Sequence, residues 1–306
     1  MRPHVTDRLE AAMSSTFSIA CVGLDPRPEL IPPMIAEAAV RQHGDSADAV
    51  AAAFVETNIA IIDAVAGHCA AVKPQAACYE AYGEAGWHAL AETVRHAKAA
   101  GIEVIVDAKR GDFEGTAPHY RHGFFGGAPL FTGAPFGAMS ADWMTTNAYL
   151  GSDTVLALAA EQIGDHGLFI VVKSSNRSSA DVQDVVTPDG TVAETMARLV
   201  HQWGSGRTGE GGLSDVGAVV GATYPGEAKT LRLAMPDAMF LVPGYGAQGA
   251  DAAAALAGQR PDGRGVLVSS SRAITGAWQH AGAPDEWLDA TRNALDAMNN
   301  DLNAQR

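Results

Sequence analysis

Short apolar runs recur along the chain, and each one ends in polar or charged residues. They fall at 18–25, 70–75, 103–109, 141–147, 167–174, 216–223, 238–245 and 265–272. Between most of them lie alanine-rich segments with helical spacing, at 49–65, 86–100, 192–203, 226–234 and 250–256, and a terminal helix is expected over 285–302. Strand alternating with helix argues for βαβ units and a parallel sheet. Eight such units fit a closed (β/α)8 barrel, the TIM-barrel class of α/β fold, as a single domain over 1–306. The alternative is an open doubly wound sheet. It would carry a GxGxxG turn after its first strand, where this chain has Gly23-Leu24-Asp25-Pro26-Arg27-Pro28. Two connections are long: 121–140, rich in Gly, Pro and Phe, and 204–215, rich in Gly, Ser and charge. Both read as surface excursions or lids rather than domain boundaries.

Composition narrows the partners. With 306 residues, 47% of them hydrophobic, the chain can bury a large core. A net charge of −14 argues against binding to nucleic acid or a membrane surface. An anionic small substrate would need positive charge concentrated locally. Cys21, Cys69 and Cys78 lack metal-type spacing and suggest a reducing compartment and small apolar packing roles. The charges of residues 1–8 are followed by no apolar run of signal-peptide type, and no uninterrupted apolar stretch is long enough to span a membrane. A cytoplasmic protein is expected.

The chemistry concentrates at the strand ends, where a barrel places its active site. The third run leads into Asp107-Ala108-Lys109-Arg110-Gly111-Asp112. On a strand, residues i and i+2 share a face, so Asp107 and Lys109 are expected to point the same way, with Asp112 just beyond at the turn. Two carboxylates bracketing one ammonium form either a structural ion pair or a working cluster. The other ends are polar as well. They offer Asp25; Lys73 and Gln75; Asn147; Lys173, Ser174, Ser175 and Asn176; Thr223 and Pro225; and the last two strand ends. Those two resemble a phosphate cradle. Gly244, Gly246 and Gly249 allow close backbone approach, Gln248 offers amide hydrogens and Arg272 a planar fork. Lys173 is expected to face away from Ser174 and to form a salt bridge to a helix. His119 and His122 read as surface or interface residues, and Trp143 and Trp278 as packing residues.

An ammonium flanked by carboxylates keeps its charge, so Lys109 reads as a proton donor rather than a Schiff-base nucleophile. Asp107 beside it would repel a substrate carboxylate. Such a site suits loss of carbon dioxide followed by protonation of the carbanion. No residue pattern demands a metal, a flavin or pyridoxal phosphate.

Over about residues 17–274 the chain resembles the orotidine 5'-phosphate decarboxylases, specifically their longer bacterial subgroup. The resemblance rests on Val22-Gly23-Leu24-Asp25-Pro26-Arg27-Pro28, Val72-Lys73-Pro74-Gln75, the Asp107-to-Asp112 motif with Thr116, Thr146-Asn147-Ala148-Tyr149-Leu150-Gly151, Val219-Val220-Gly221-Ala222-Thr223-Tyr224-Pro225, Val242-Pro243-Gly244-Tyr245-Gly246-Ala247-Gln248-Gly249 and Ser270-Ser271-Arg272. It implies a cofactor-free conversion of orotidine 5'-phosphate to uridine 5'-phosphate and carbon dioxide, the last step of de novo UMP biosynthesis. Lys109 would protonate C6, within a Lys73–Asp107–Lys109–Asp112 charge network. Asp25 and Lys73 would hold the ribose hydroxyls, and Gln248 and Arg272 the phosphate. Ser175 would contact the pyrimidine, and Thr223, Pro225 and Gly246 would belong to the same binding site. Asp112 and Thr116 would act across the interface of a homodimer. The family usually has an aliphatic residue where this chain has Phe113 and a proline where it has Arg177. Arg177 leaves open whether Ser174 or Ser175 meets the pyrimidine. Two other readings remain at this stage: a metal-dependent phosphosugar lyase of the same superfamily, and a non-catalytic nucleotide-phosphate-binding barrel.

Overall fold

The computed structural model describes residues 2–159, 162–246, 249–281 and 284–306. Eight parallel strands close into a barrel in chain order. They are β1 (Ala20–Leu24), β2 (Ala71–Pro74), β3 (Glu103–Arg110), β4 (Trp143–Thr146), β5 (Gly167–Lys173), β6 (Ser214–Val220), β7 (Ala238–Pro243) and β8 (Val266–Ser270). Closure comes from β8 pairing with β1, Cys21 opposite Ser269. Each expected run overlaps one of these strands. The largest difference is in β6, which starts at Ser214 and stops at Val220. The three residues after it turn toward the helix Pro225–Ala234, whose first position is the proline.

Strand alternation creates two cores. Val104 and Val106 of β3, and Val266 and Val268 of β8, face the surrounding helices. Ile105 and Leu267 face the barrel interior with Trp143 and Phe169, whose rings stack at 4.5 Å. Cys21 is buried in this inner cluster, and burial pushes its thiol up to about 12. That suits the packing role expected of it. The inner core is closed by a helix outside the expected alternation, Val5–Thr16. Its Val5 and Leu9, one turn apart, are fully buried against the strand starts.

Both long connections differ from their expected form. Within 121–140 the chain first completes the helix Ala117–Phe125, then makes a small hairpin, Ala128–Pro129 with Pro135–Phe136. Within 204–215, Gly204 ends the helix Val192–Gly204, and Ser214 and Asp215 already belong to β6. The segment between is tied to the N-terminal helix: the Glu210 and Gly211 N–H groups donate to the Asp7 carboxylate at 3.0 and 2.9 Å. Each connection joins the end of a helix to the start of a strand. Both therefore enter the barrel at the face opposite the mouth, and neither is a lid. The terminal helix runs Trp287–Asn303, close to expectation, whereas the helix expected at 250–256 shrinks to Ala252–Ala255.

That opposite face holds its own charge cluster. Asp142 accepts from Arg2, Arg8 and Lys98 at 2.7, 3.1 and 2.6 Å, and Arg8 also reaches Glu103. Burial, reinforced by Asp142, pushes the Glu103 carboxyl from 4.5 up to about 7. A folded-state pKa above the unfolded one contributes stability that is complete below the unfolded value and lost as pH rises through the folded value. Glu103→Gln is therefore expected to exceed the parent protein in stability by about 1–2 kcal/mol at roughly pH 8, with the gain closing by about pH 4. Urea melts at the two pH values measure this, and a gain independent of pH would contradict the assignment.

Candidate active site

The barrel mouth is organised around Asp107, which is buried near the end of β3. Its two carboxylate oxygens are divided between partners. Oδ2 accepts from Lys73 Nζ at 2.9 Å. Oδ1 accepts from Lys109 Nζ at 2.6 Å and from the Thr145 hydroxyl at 2.7 Å. Lys73 Nζ also stands 3.8 Å from Asp25 Oδ1. Charges therefore alternate along Asp25, Lys73, Asp107 and Lys109, drawn from β1 or its edge, β2 and β3.

Burial disfavours charge on both central members, yet each keeps it because the other is there. Desolvation works against the Lys73 ammonium, but Asp107 and Asp25 together hold its pKa above the usual lysine range. Desolvation likewise works against the Asp107 carboxylate, and Lys73 and Lys109 hold it well below the usual range. Opposite charges at hydrogen-bond distance overcome the penalty. Lys109 differs from Lys73 in access: 48% of its side chain is exposed, against 8% for Lys73. The ammonium that reaches solvent-accessible space is thus Lys109.

Simple alternation does not explain how Lys109 is aimed. Its φ is +48°, in the left-handed region that a side chain with Cβ rarely occupies. The β3–β4 pairing shifts register between Val106 and Arg110. Asp107 and Lys109 do converge as expected, but through this bulge.

These groups line one side of a cavity of about 440 Å³. Val171, Val219 and Leu241 supply an apolar wall, and Gly244, Tyr245 and Arg272 lie at the ends of β7 and β8. The cavity therefore offers an apolar wall, a side lined by charged and polar groups, and an arginine that could meet an anion.

Six of the sequence-derived site residues meet here: Asp25, Lys73, Asp107, Lys109, Ser175 and Arg272. Ser174 also lines the cavity, but its hydroxyl bonds Asn176 and Gln183 at 2.7 and 2.8 Å, holding the β5 loop. Thr223 and Pro225 do not line it. The Thr223 hydroxyl donates to the Ser175 carbonyl at 3.3 Å, and Pro225 opens a helix. The Gly246 N–H donates to Ala250 O within its own turn, and of the two glycines it is Gly244, with φ +106°, that lines the cavity. Gln248 lies outside the described residues. Asp112 and Thr116 do not line their own chain's cavity. Asp112 Oδ1 accepts from the Phe113 N–H at 2.8 Å, and Thr116 precedes the helix Ala117–Phe125. Lys173 faces away from the mouth, bonded to Asp184 and 4.2 Å from the Tyr224 ring centre. Arg27, Thr145 and Tyr245 were not singled out by sequence reasoning, yet all three line the cavity. Inward phase at a strand end was the available signal for Thr145, and place within a quoted motif was the signal for the other two. No helix among the described residues is long and apolar enough to cross a membrane.

The chain is similar to known proteins over most of its length. Residues 19–284 match the model of the orotidine 5'-phosphate decarboxylase / HUMPS family. The orotidine 5'-phosphate decarboxylase of Rhodopirellula baltica is 40% identical over 303 residues, covering 96% of this chain and 97% of that protein. The Deinococcus radiodurans protein of the same name is 35% identical, covering 99% and 98%. The solved structure of Leishmania donovani OMP decarboxylase superposes with a TM-score of 0.75 at 30% identity, covering 99% of this chain and 98% of that one.

Proposed function

Since the chain belongs to the orotidine 5'-phosphate decarboxylase / HUMPS family, we propose that its barrel mouth binds a pyrimidine nucleoside monophosphate and decarboxylates it with the chain's own side chains. The reaction converts orotidine 5'-phosphate to uridine 5'-phosphate and carbon dioxide, the last step of UMP biosynthesis. The observation that carries the residue assignment is the Asp25–Lys73–Asp107–Lys109 chain set against an apolar wall.

In this reading the bond from C6 to the carboxylate carbon breaks, and its electron pair stays at C6. Lys109 then delivers a proton from Nζ to that carbon. Asp107 meets the substrate carboxylate with like charge, and the repulsion disappears as carbon dioxide leaves, so it favours the transition state over the ground state. Lys73 keeps Asp107 charged and, with Asp25, faces the ribose hydroxyls. Ser175 meets the pyrimidine edge, its carbonyl steadied by Thr223. Arg272 and Gln248 take the phosphate, with Gly246 and Pro225 shaping the adjoining turns. Phosphate binding, remote from C6, offsets the ordering of the site. Asp112 and Thr116 complete the site of a partner subunit in a homodimer. The protein works in the cytoplasm and needs neither metal nor organic cofactor.

Side-by-side incubation tests the reaction class. Orotidine 5'-phosphate is expected to lose the long-wavelength part of its ultraviolet absorbance as the C6 carboxylate is removed, while a phosphorylated β-keto sugar acid stays unchanged. The reverse result would assign the phosphosugar chemistry instead.

A further inference from the structure

We infer that Thr145 is a positioning residue for the reaction: its single hydroxyl clamps both the Lys109 backbone and the Asp107 carboxylate. The inference rests on the decarboxylase reading and adds a role that the charge network alone does not contain.

The register supplies the reason. Val106 pairs with Met144, and the next paired residues are Arg110 and Thr146. Residues 107–109 of β3 therefore face Thr145 alone on β4. Such a bulge breaks the regular ladder and leaves backbone groups in need of other partners. The Lys109 N–H finds one in Thr145 Oγ1 at 3.0 Å. The same oxygen donates its own hydrogen to Asp107 Oδ1 at 2.7 Å. Thr146 secures the far end of the bulge, its hydroxyl donating to Arg110 O. Thr145 is 1% exposed, so its hydroxyl is held by the protein rather than by bulk solvent.

Two consequences follow for the chemistry. Lys109 sits at φ +48°, and its N–H bond to Thr145 helps hold that conformation, which decides where the ammonium arrives. Asp107 Oδ1 also carries the 2.6 Å bond from Lys109 Nζ, so the Thr145 hydrogen bond fixes the carboxylate rotation at which Lys109 is met. Without the hydroxyl the charges remain but their mutual placement loosens. An ångström-scale misplacement of reacting groups is enough to lower a rate about 100-fold.

The test compares Thr145→Ser, which keeps the hydroxyl, with Thr145→Ala, which loses it. Both side chains are smaller than threonine and fit the buried position without a clash. With orotidine 5'-phosphate as substrate, Thr145→Ser is expected to stay within about threefold of the parent kcat, and Thr145→Ala to fall about 100-fold with KM within about threefold. A purely structural role for the side chain would make the two variants equivalent. Equal kcat for the two, or a loss carried by KM alone, would overturn the clamp. If the parent protein fails to turn over the nucleotide, the functional reading falls and takes the clamp with it. Parent turnover with an undiminished Thr145→Ala removes the clamp alone.

Discussion

Lys109→Ala is expected to lower kcat for orotidine 5'-phosphate by about 10⁴-fold, the upper end of what a positioned proton donor contributes. The side chain is half exposed at the mouth, so its removal opens no cavity in either core. Asp107 keeps its 2.9 Å bond from Lys73 and the 2.7 Å bond from Thr145, and therefore keeps partners in the variant. The variant should fold, and it should still bind uridine 5'-phosphate through the groups at the ends of β5, β7 and β8. Single-turnover kinetics together with calorimetric titration of the product separate the two effects. A variant that retains turnover and loses only affinity would make the barrel mouth a nucleotide-binding site whose ammonium takes no part in proton transfer.

Mixing Asp112→Ala subunits with Lys109→Ala subunits should restore activity to two preparations that are each inactive. The expectation follows from the shared-site reading that the family resemblance implies, and local geometry is compatible with it. Gly111 packs so closely on the residue after β4 that an added Cβ would lie 2.3 Å from Asn147 O. The chain is thereby pinned at 111, and Asp112 follows outside its own cavity. Phe113 beside it is 70% exposed, an apolar surface that a partner subunit would cover. In a two-fold dimer, a hybrid holds one site with Lys109 from one subunit and Asp112 from the other, and a second site lacking both. Random mixing makes half the dimers hybrid, so about a quarter of the parent activity should return. Hybrids isolated on two different affinity tags that remain inactive would place Asp112 outside any shared site.

Much of this was legible in the order of residues because it depends on local pattern. The eight strands followed from apolar runs that end in polar residues, and Lys73, Asp107 and Lys109 followed from their places at those ends. The bulge was not legible. That three residues of β3 stand opposite one residue of β4 is a property of the pairing, and nothing near Lys109 in sequence announces a left-handed lysine. Thr145 escaped notice for the same reason, since its role exists only across the two strands. The glycines at the end of β7 show the opposite limit. Their freedom is written in the residue type, but only the fold decides that the Gly246 N–H is consumed by Ala250 O while Gly244 faces the cavity. For the loops at 121–140 and 204–215, length and composition left a surface excursion and a lid both open, because they do not say which end of the barrel a loop closes.

The most direct single measurement follows carbon dioxide released from orotidine 5'-phosphate by the purified protein in the presence of a strong chelator. One carbon dioxide per uridine 5'-phosphate formed, at a rate unchanged by chelator, is the expected result. A folded protein that releases none, or that works only when a divalent metal is restored, would contradict decarboxylation by the Lys73–Asp107–Lys109 chain alone.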